Sequence, residues 1–307
     1  MSAASPASLL AVATATAMTL LALLVPIWEA STARSYGLER QNMSPEEGRY
    51  TWSDYEALMH VIARDNIVDP GGYPASLQAF DALPDAPESI LEVGPGSGDF
   101  ARLLAARYPN SSVLGIDASN FSIRVAQASG RSVPNLRFEL RSSVELSEAP
   151  KSFDVLTTTF VNHEIFPDVE FVDFLRRVRV VGRKAFIFND FVRSFGCLTS
   201  MSLLRYFAKY GQMLPGVEAW LPGDLSVKAA VFLSQPPSVL EFILDGGLQS
   251  MKRSFTVEEY QALFNEAGYP KGSLSCNRGE GYYWQDFFGA SCRLTCTADL
   301  ALGAGAV

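Results

Sequence analysis

At residues 89–98 an apolar run of strand length, Ser89–Val93, ends in glycines at 94, 96 and 98 and opens directly into a helix carrying Phe100, Leu103 and Leu104 on one face. A strand that turns into a helix over so few residues belongs in an α/β sheet. Glycines at such a turn let the backbone take positive φ and come close to a ligand. The helix start behind it offers unpaired N–H groups.

The same rhythm continues downstream. Strands are expected at 113–116, 136–140, 153–159 and 185–188, with helices at 121–128 and 171–180 between them. Alternation at this spacing predicts a parallel sheet with helices on both faces. After Asp190 the rhythm breaks. Residues 195–250 read as a hydrophobic, mostly helical cap insertion punctuated by Pro215, Pro222, Pro236 and Pro237. A helix at 256–267, opened by the capping box Thr256–Glu259, and two late strands near 272–277 and 286–297 complete a Rossmann-like, mostly parallel seven-stranded sheet. Upstream, Ser53–Glu56 is a second capping box, with Tyr55, Leu58, Met59 and Ile62 on one stripe. Another short helix is expected at about 75–82. The organisation is a hydrophobic N-terminal segment (1–33), a linker (34–50) and one domain (51–300) that contains the cap.

The first 28 residues carry no charged side chain, and residues 9–28 form an uncharged, mainly apolar run. About 20 such residues span a bilayer as a helix. The expectation is a single N-terminal membrane span. Arg34 and Arg40 on its C-terminal side place the domain in the cytosol. A cleaved secretory signal, with a small-residue site at 31–33, is the alternative. The net charge of −8 argues against a nucleic-acid partner, since phosphate binding draws its affinity from basic patches. Four cysteines without a CxxC pair, and two histidines remote from them, do not suggest zinc. Cys292 and Cys296 are too far apart along a strand to bond to each other, and all four read as buried small hydrophobes.

Two cofactor classes use a glycine turn of this kind. A dinucleotide fingerprint needs a third glycine where this chain has Asp99, whose charge repels a pyrophosphate. Glu92 instead suits a cationic amino group, which S-adenosylmethionine has and a dinucleotide lacks. Asp117, at the end of the second strand, is placed to take both ribose hydroxyls.

At these residues the chain resembles the class I S-adenosylmethionine-dependent methyltransferases. The segments ILEVGPGSGDFARLLA (90–105), VLGID (113–117), SFDVLTTTFVNHEI (152–165) and FLRRVRVVGRKAFIFND (174–190) are similar to that family's first motif, ribose strand, fourth strand and fifth strand. RSFTVEEYQALFNEAGY (253–269) is similar to its late helix. The resemblance implies a methyltransferase with S-adenosylmethionine as cofactor. Glu92, Gly94, Gly96 and Gly98 would line the methionine end, Asp117 the ribose, and Phe160 and Asn162 the border of cofactor and acceptor. The family's acid after the third strand is replaced by Arg141-Ser142-Ser143-Val144, which leaves Ser142 or Ser143 for the adenine.

Within that frame His163 is the candidate general base, because it follows the fourth strand and histidine titrates near neutrality. Asp190, on the carboxyl edge of the fifth strand, is the candidate acceptor-orienting acid, with pairing to Arg193 as the local alternative. Asp190 with Glu164 makes a poor metal site, and no metal is expected. Cap aromatics (Tyr206, Phe207, Tyr210, Trp220 and Phe232) suit an apolar small-molecule acceptor methylated on oxygen or carbon. Two other readings compete: a non-catalytic interaction module of the same fold, and a nucleotide-dependent oxidoreductase.

Overall fold

The computed structural model describes residues 16, 51, 59, 61–64, 66–142, 146–211, 237–279 and 290–301. The expected span at 9–28 and the capping box at Ser53 lie outside these residues. Among the described residues no helix is long and apolar enough to cross a membrane.

Seven strands form one sheet in the order β3-β2-β1-β4-β5-β7-β6. They are β1 (Ser89–Val93), β2 (Ser112–Asp117), β3 (Leu136–Leu140), β4 (Phe153–Thr159), β5 (Gly182–Phe191), β6 (Leu274–Asn277) and β7 (Arg293–Asp299). The first five pair in parallel, while β7 runs antiparallel to both β5 and β6. Parallel strands covered on both faces need apolar side chains on both. Accordingly β1 and β4 are buried along almost their whole length. The strand order reverses between β1 and β4, and ligands bind outside the carboxyl ends of strands at such a switch point.

Helices α1 (Tyr73–Asp81), α2 (Asp99–Arg107) and α3 (Asn120–Gly130) cover one face through Phe80, Phe100, Leu104 and Ile123. The other face takes α4 (Asp168–Val181), α5 (Phe195–Gly211), α6 (Pro237–Arg253) and α7 (Val257–Glu266). Leu198, Met201, Leu244, Leu248 and Met251 belong to the same core as Phe171 and Phe174. The described parts of the 195–250 insertion therefore extend the domain's own apolar layer. The side chains of the cap aromatics named above lie outside the described ones. Thr256 and Glu259 form the expected capping box on α7.

The cysteines differ from expectation. Cys197 bonds to Cys292, and Cys276 to Cys296, across 95 and 20 residues. The first bond ties the start of α5 to the entry of β7. The second links residues that face each other in the antiparallel β6–β7 register. Sequence spacing excluded a Cys292–Cys296 bond but held no information on these partners, because only the sheet order brings them together.

Candidate cofactor and acceptor site

The glycine turn sits at the carboxyl end of β1, with φ of 73°, 55° and 77° at Gly94, Gly96 and Gly98. Each glycine has its own reason. A side chain at Gly94 would meet Val161 Cγ2 at 2.4 Å, so this residue lets β4's exit turn pack against the glycine turn. A side chain at Gly98 would meet the Phe138 ring at 2.5 Å, and the Gly98 N–H donates to the Pro95 carbonyl. The side of Gly98 that a side chain would occupy is thus taken up by core packing. Around Gly96 there is nothing within 4 Å of a built Cβ. Open space beside a positive-φ glycine is what a close-approaching ligand requires.

Two acids flank that space. Glu92 is 1% exposed, and its Oε2 has no hydrogen-bond partner. Burial, then the charges of Asp117 and Asp99, push its carboxyl up to about 8. A buried acid that is hard to ionise lacks a cation, and a ligand ammonium would supply one. Asp117 accepts from the Gly96 N–H through Oδ2 at 3.1 Å and from the Ser119 N–H through Oδ1 at 2.8 Å. Each oxygen keeps a further lone pair for a ribose hydroxyl. Burial raises its pKa, and those backbone donors oppose the rise. Asp99 accepts from Ser97 Oγ and pairs with Arg102, which neutralises the acid that spoke against a pyrophosphate. These residues fit S-adenosylmethionine. At the end of β3, Ser142 is exposed, and Ser143 lies outside the described residues.

A second cluster follows β4. Phe160 holds φ of +59°, a conformation that costs a bulky residue energy and persists where surroundings impose it. Its ring meets Phe191 edge-on at 4.8 Å. Asn162 is fully buried; its Oδ1 accepts from Thr158, and its Nδ2 has no partner.

His163 and Asp190 do come together, in a geometry unlike that of a base facing an acceptor. His163 Nδ1 lies 2.6 Å from Asp190 Oδ1, and Nε2 lies 3.3 Å from Glu164 Oε1. Arg253, at the end of α6, donates to the same Glu164 oxygen at 2.7 Å. Asp190 also accepts from the His163 and Phe191 backbone N–H groups. Burial lowers the His163 pKa, but Asp190 by charge and hydrogen bond, and then Glu164, carry it to about 9. That balance favours the imidazolium form, with an acid beside each ring nitrogen. Arg193, the local alternative for Asp190, pairs instead with Glu259 and the Ser254 carbonyl. Glu164 is engaged by Arg253, and the described residues hold no cluster of three metal-ligating side chains.

Sequence reasoning missed a third group, residues 66–73 with Arg293. Asn66, Asp69 and Tyr73 are buried, and Tyr73 stacks on Phe100 at 5.0 Å. Burial, then the charges of Glu92 and Asp99, push the Tyr73 phenol far above its ordinary value, which places it in the same field as the glycine turn. No local motif marks these residues; the sheet assembles them.

Known proteins resemble parts of this chain. A family model described as a methyltransferase domain matches residues 90–184. A trans-aconitate 2-methyltransferase of Deinococcus radiodurans is 40% identical over 81 residues, 26% of this chain and 29% of that one. The chain thus spans less than a third of that relative's length. A demethylmenaquinone methyltransferase of the same organism is 28% identical over 217 residues, covering 70% of this chain and 85% of that protein. A crystal structure of a SAM-dependent methyltransferase from Aquifex aeolicus has a TM-score of 0.44 and 14% identity, covering 74% of this chain and 89% of that one. Residues 90–184 form a methyltransferase domain, and S-adenosylmethionine is its cofactor.

Proposed function

We propose that this chain transfers the methyl group of S-adenosylmethionine to an oxygen or carbon of a small apolar acceptor. The observation that carries the reading is the buried Glu92 carboxyl, whose Oε2 has no hydrogen-bond partner, just before a glycine turn with open space at Gly96. Glu92 holds the ammonium, and Asp117 holds the ribose. The bound cofactor supplies an electrophilic methyl on a sulfonium; the protein's part is position and electrostatics. The Phe160–Phe191 pair shields the carboxyl edge from water and favours a flat, apolar acceptor. The relative that spans most of the domain carries the name of demethylmenaquinone, in keeping with a ring acceptor. His163 keeps its proton and, through Asp190 and Glu164, holds the 160–164 turn in place.

Calorimetry with S-adenosylmethionine and S-adenosylhomocysteine tests the cofactor half. Transfer of labelled methyl to apolar extract fractions tests the acceptor half. Absence of heat in the first discards the reading; label only in polar products discards the apolar acceptor. Glu92→Gln sharpens the first arm. A carboxyl whose folded pKa of about 8 stands above its ordinary value of 4.5 favours the fold at low pH and loses that contribution as pH rises through 8. At pH 7.5 and above, the variant is expected to melt higher than the parent without ligand, and to bind S-adenosylhomocysteine about tenfold or more weakly. Unchanged affinity would remove Glu92 from the site.

His163 makes a second prediction. Its folded pKa of about 9 stands above its ordinary value of 6.5. Its stabilising contribution is complete below about pH 6.5 and is lost as pH rises through about 9. In a His60→Gln background, the remaining imidazole resonance is expected to titrate near pH 9. A midpoint at or below 6.5 would restore a neutral ring able to act as base.

The disulfides bear on localisation. Such bonds persist in oxidising compartments. They support the secretory alternative, in which residues 9–28 deliver the domain across a membrane, over the cytosolic placement. Carbonate extraction separates a retained anchor from a cleaved signal. Free, alkylatable thiols in the native chain would return the domain to the cytosol.

A further inference from the structure

Arg293 opens β7, opposite Phe191, and is 2% exposed. Its guanidinium lies 4.5 Å from the centre of the Phe160 ring and 3.4 Å from Asp69 Oδ2. A side chain at Gly72 would strike its Nη1 at 2.4 Å, so the 66–72 segment is laid directly on it. The preceding residue, Cys292, is bonded to Cys197 at the start of α5. Three parts of the molecule meet at this residue: the segment before α1, the end of β5 and the turn after β4.

The contact with Phe160 is the consequential one. Phe160 is the bulky residue held at positive φ, and its neighbour Val161 is the side chain on which Gly94 rests. A cation over an aromatic face is attracted to it more strongly away from water than at an exposed site. Such a contact opposes the tendency of Phe160 to leave its unfavourable backbone conformation. We propose that Arg293 is a positioning residue for methyl transfer: by stacking on Phe160 it holds the 160–161 turn against the glycine turn and so shapes the cofactor site from two strands away. Asp69 pairs with the guanidinium and holds it in register. The proposal rests on the cofactor reading above.

The test is calorimetry of S-adenosylhomocysteine binding to the full chain, well below each variant's melting temperature. Arg293→Met and Phe160→Leu are each expected to weaken binding about tenfold, and the double variant no further than either alone, as coupled residues do. Arg183→Met is the control. It removes an ion pair with Asp154 across the strands from Lys184, away from the glycine turn, and is expected to lower the melting temperature while leaving affinity unchanged. Arg293→Lys, which keeps the charge but not the flat stacking face, is expected to bind at an intermediate level. It also serves if Arg293→Met does not fold. Parent-like affinity in Arg293→Lys and Arg293→Met, or multiplying losses in the double variant, would overturn the proposal. A parent chain without affinity would overturn the cofactor reading and this proposal together.

Discussion

Alanine at Gly96 is expected to abolish cofactor binding and leave the fold nearly intact, whereas alanine at Gly98 is expected to damage the fold first. Both positions have positive φ, which costs an L-residue about 1–2 kcal/mol. They differ in what the new methyl meets. At Gly96 it meets no protein atom within 4 Å and projects into the space above the turn. The expected loss of S-adenosylhomocysteine affinity is on the order of 100-fold, the scale of a misplacement of about 1 Å. At Gly98 the methyl meets the Phe138 ring at 2.5 Å and Ala126 at 3.0 Å. Gly115 and Gly130 already make room for that same ring, so it has nowhere to move. Overpacking adds about 1–3 kcal/mol, for a total near 2–5 kcal/mol. Thermal unfolding and calorimetry on the two variants read the contrast. Equal loss of stability from both would mean that the space over Gly96 is not a ligand site.

Cys197→Ser is expected to cost about 2–4 kcal/mol of stability, and reductant is expected to reproduce most of that loss in the parent. The bond spans 95 residues and fastens α5 to β7, so its removal frees a long loop in the unfolded chain. For a domain of this size the change corresponds to roughly 4–16 °C in melting temperature. Cys276→Ser is expected to cost less, because β6 and β7 remain joined by backbone hydrogen bonds and the loop is 20 residues. Non-reducing peptide mapping checks the pairing itself. A Cys197 thiol that alkylates freely in the native chain, with no shift on reduction, would contradict this account. The cysteine at 292 stands beside Arg293, so weakened cofactor binding on reduction is the expected companion effect.

The local part of the fold was legible because local rules produce it. The run Ile90–Val93 followed by three glycines reads as strand, turn and helix start without any knowledge of neighbours. Thr256 and Glu259 satisfy each other within one helical turn. The acids at 92 and 117 could be assigned because each ends or nearly ends a strand of a parallel sheet, and such ends converge. Some local readings were right in kind and incomplete in role. His163 was placed at the site by its position after β4. Whether it is a base depends on Asp190, 27 residues on, and on Arg253, which reaches Glu164 from another helix. Sequence carries no trace of those distances.

The amino-acid sequence by itself therefore determined the sheet, its glycine turn and the class of methyl donor, since each follows from neighbours a few residues apart and from the period of apolar side chains. Tertiary structure alone decided which cysteines bond, which of three glycines has open space beside it, which acids surround His163, and that Arg293 stands over Phe160. These depend on the strand order, which places β7 between β5 and β6 and brings residues up to 224 positions apart, Asp69 and Arg293, into one buried ion pair.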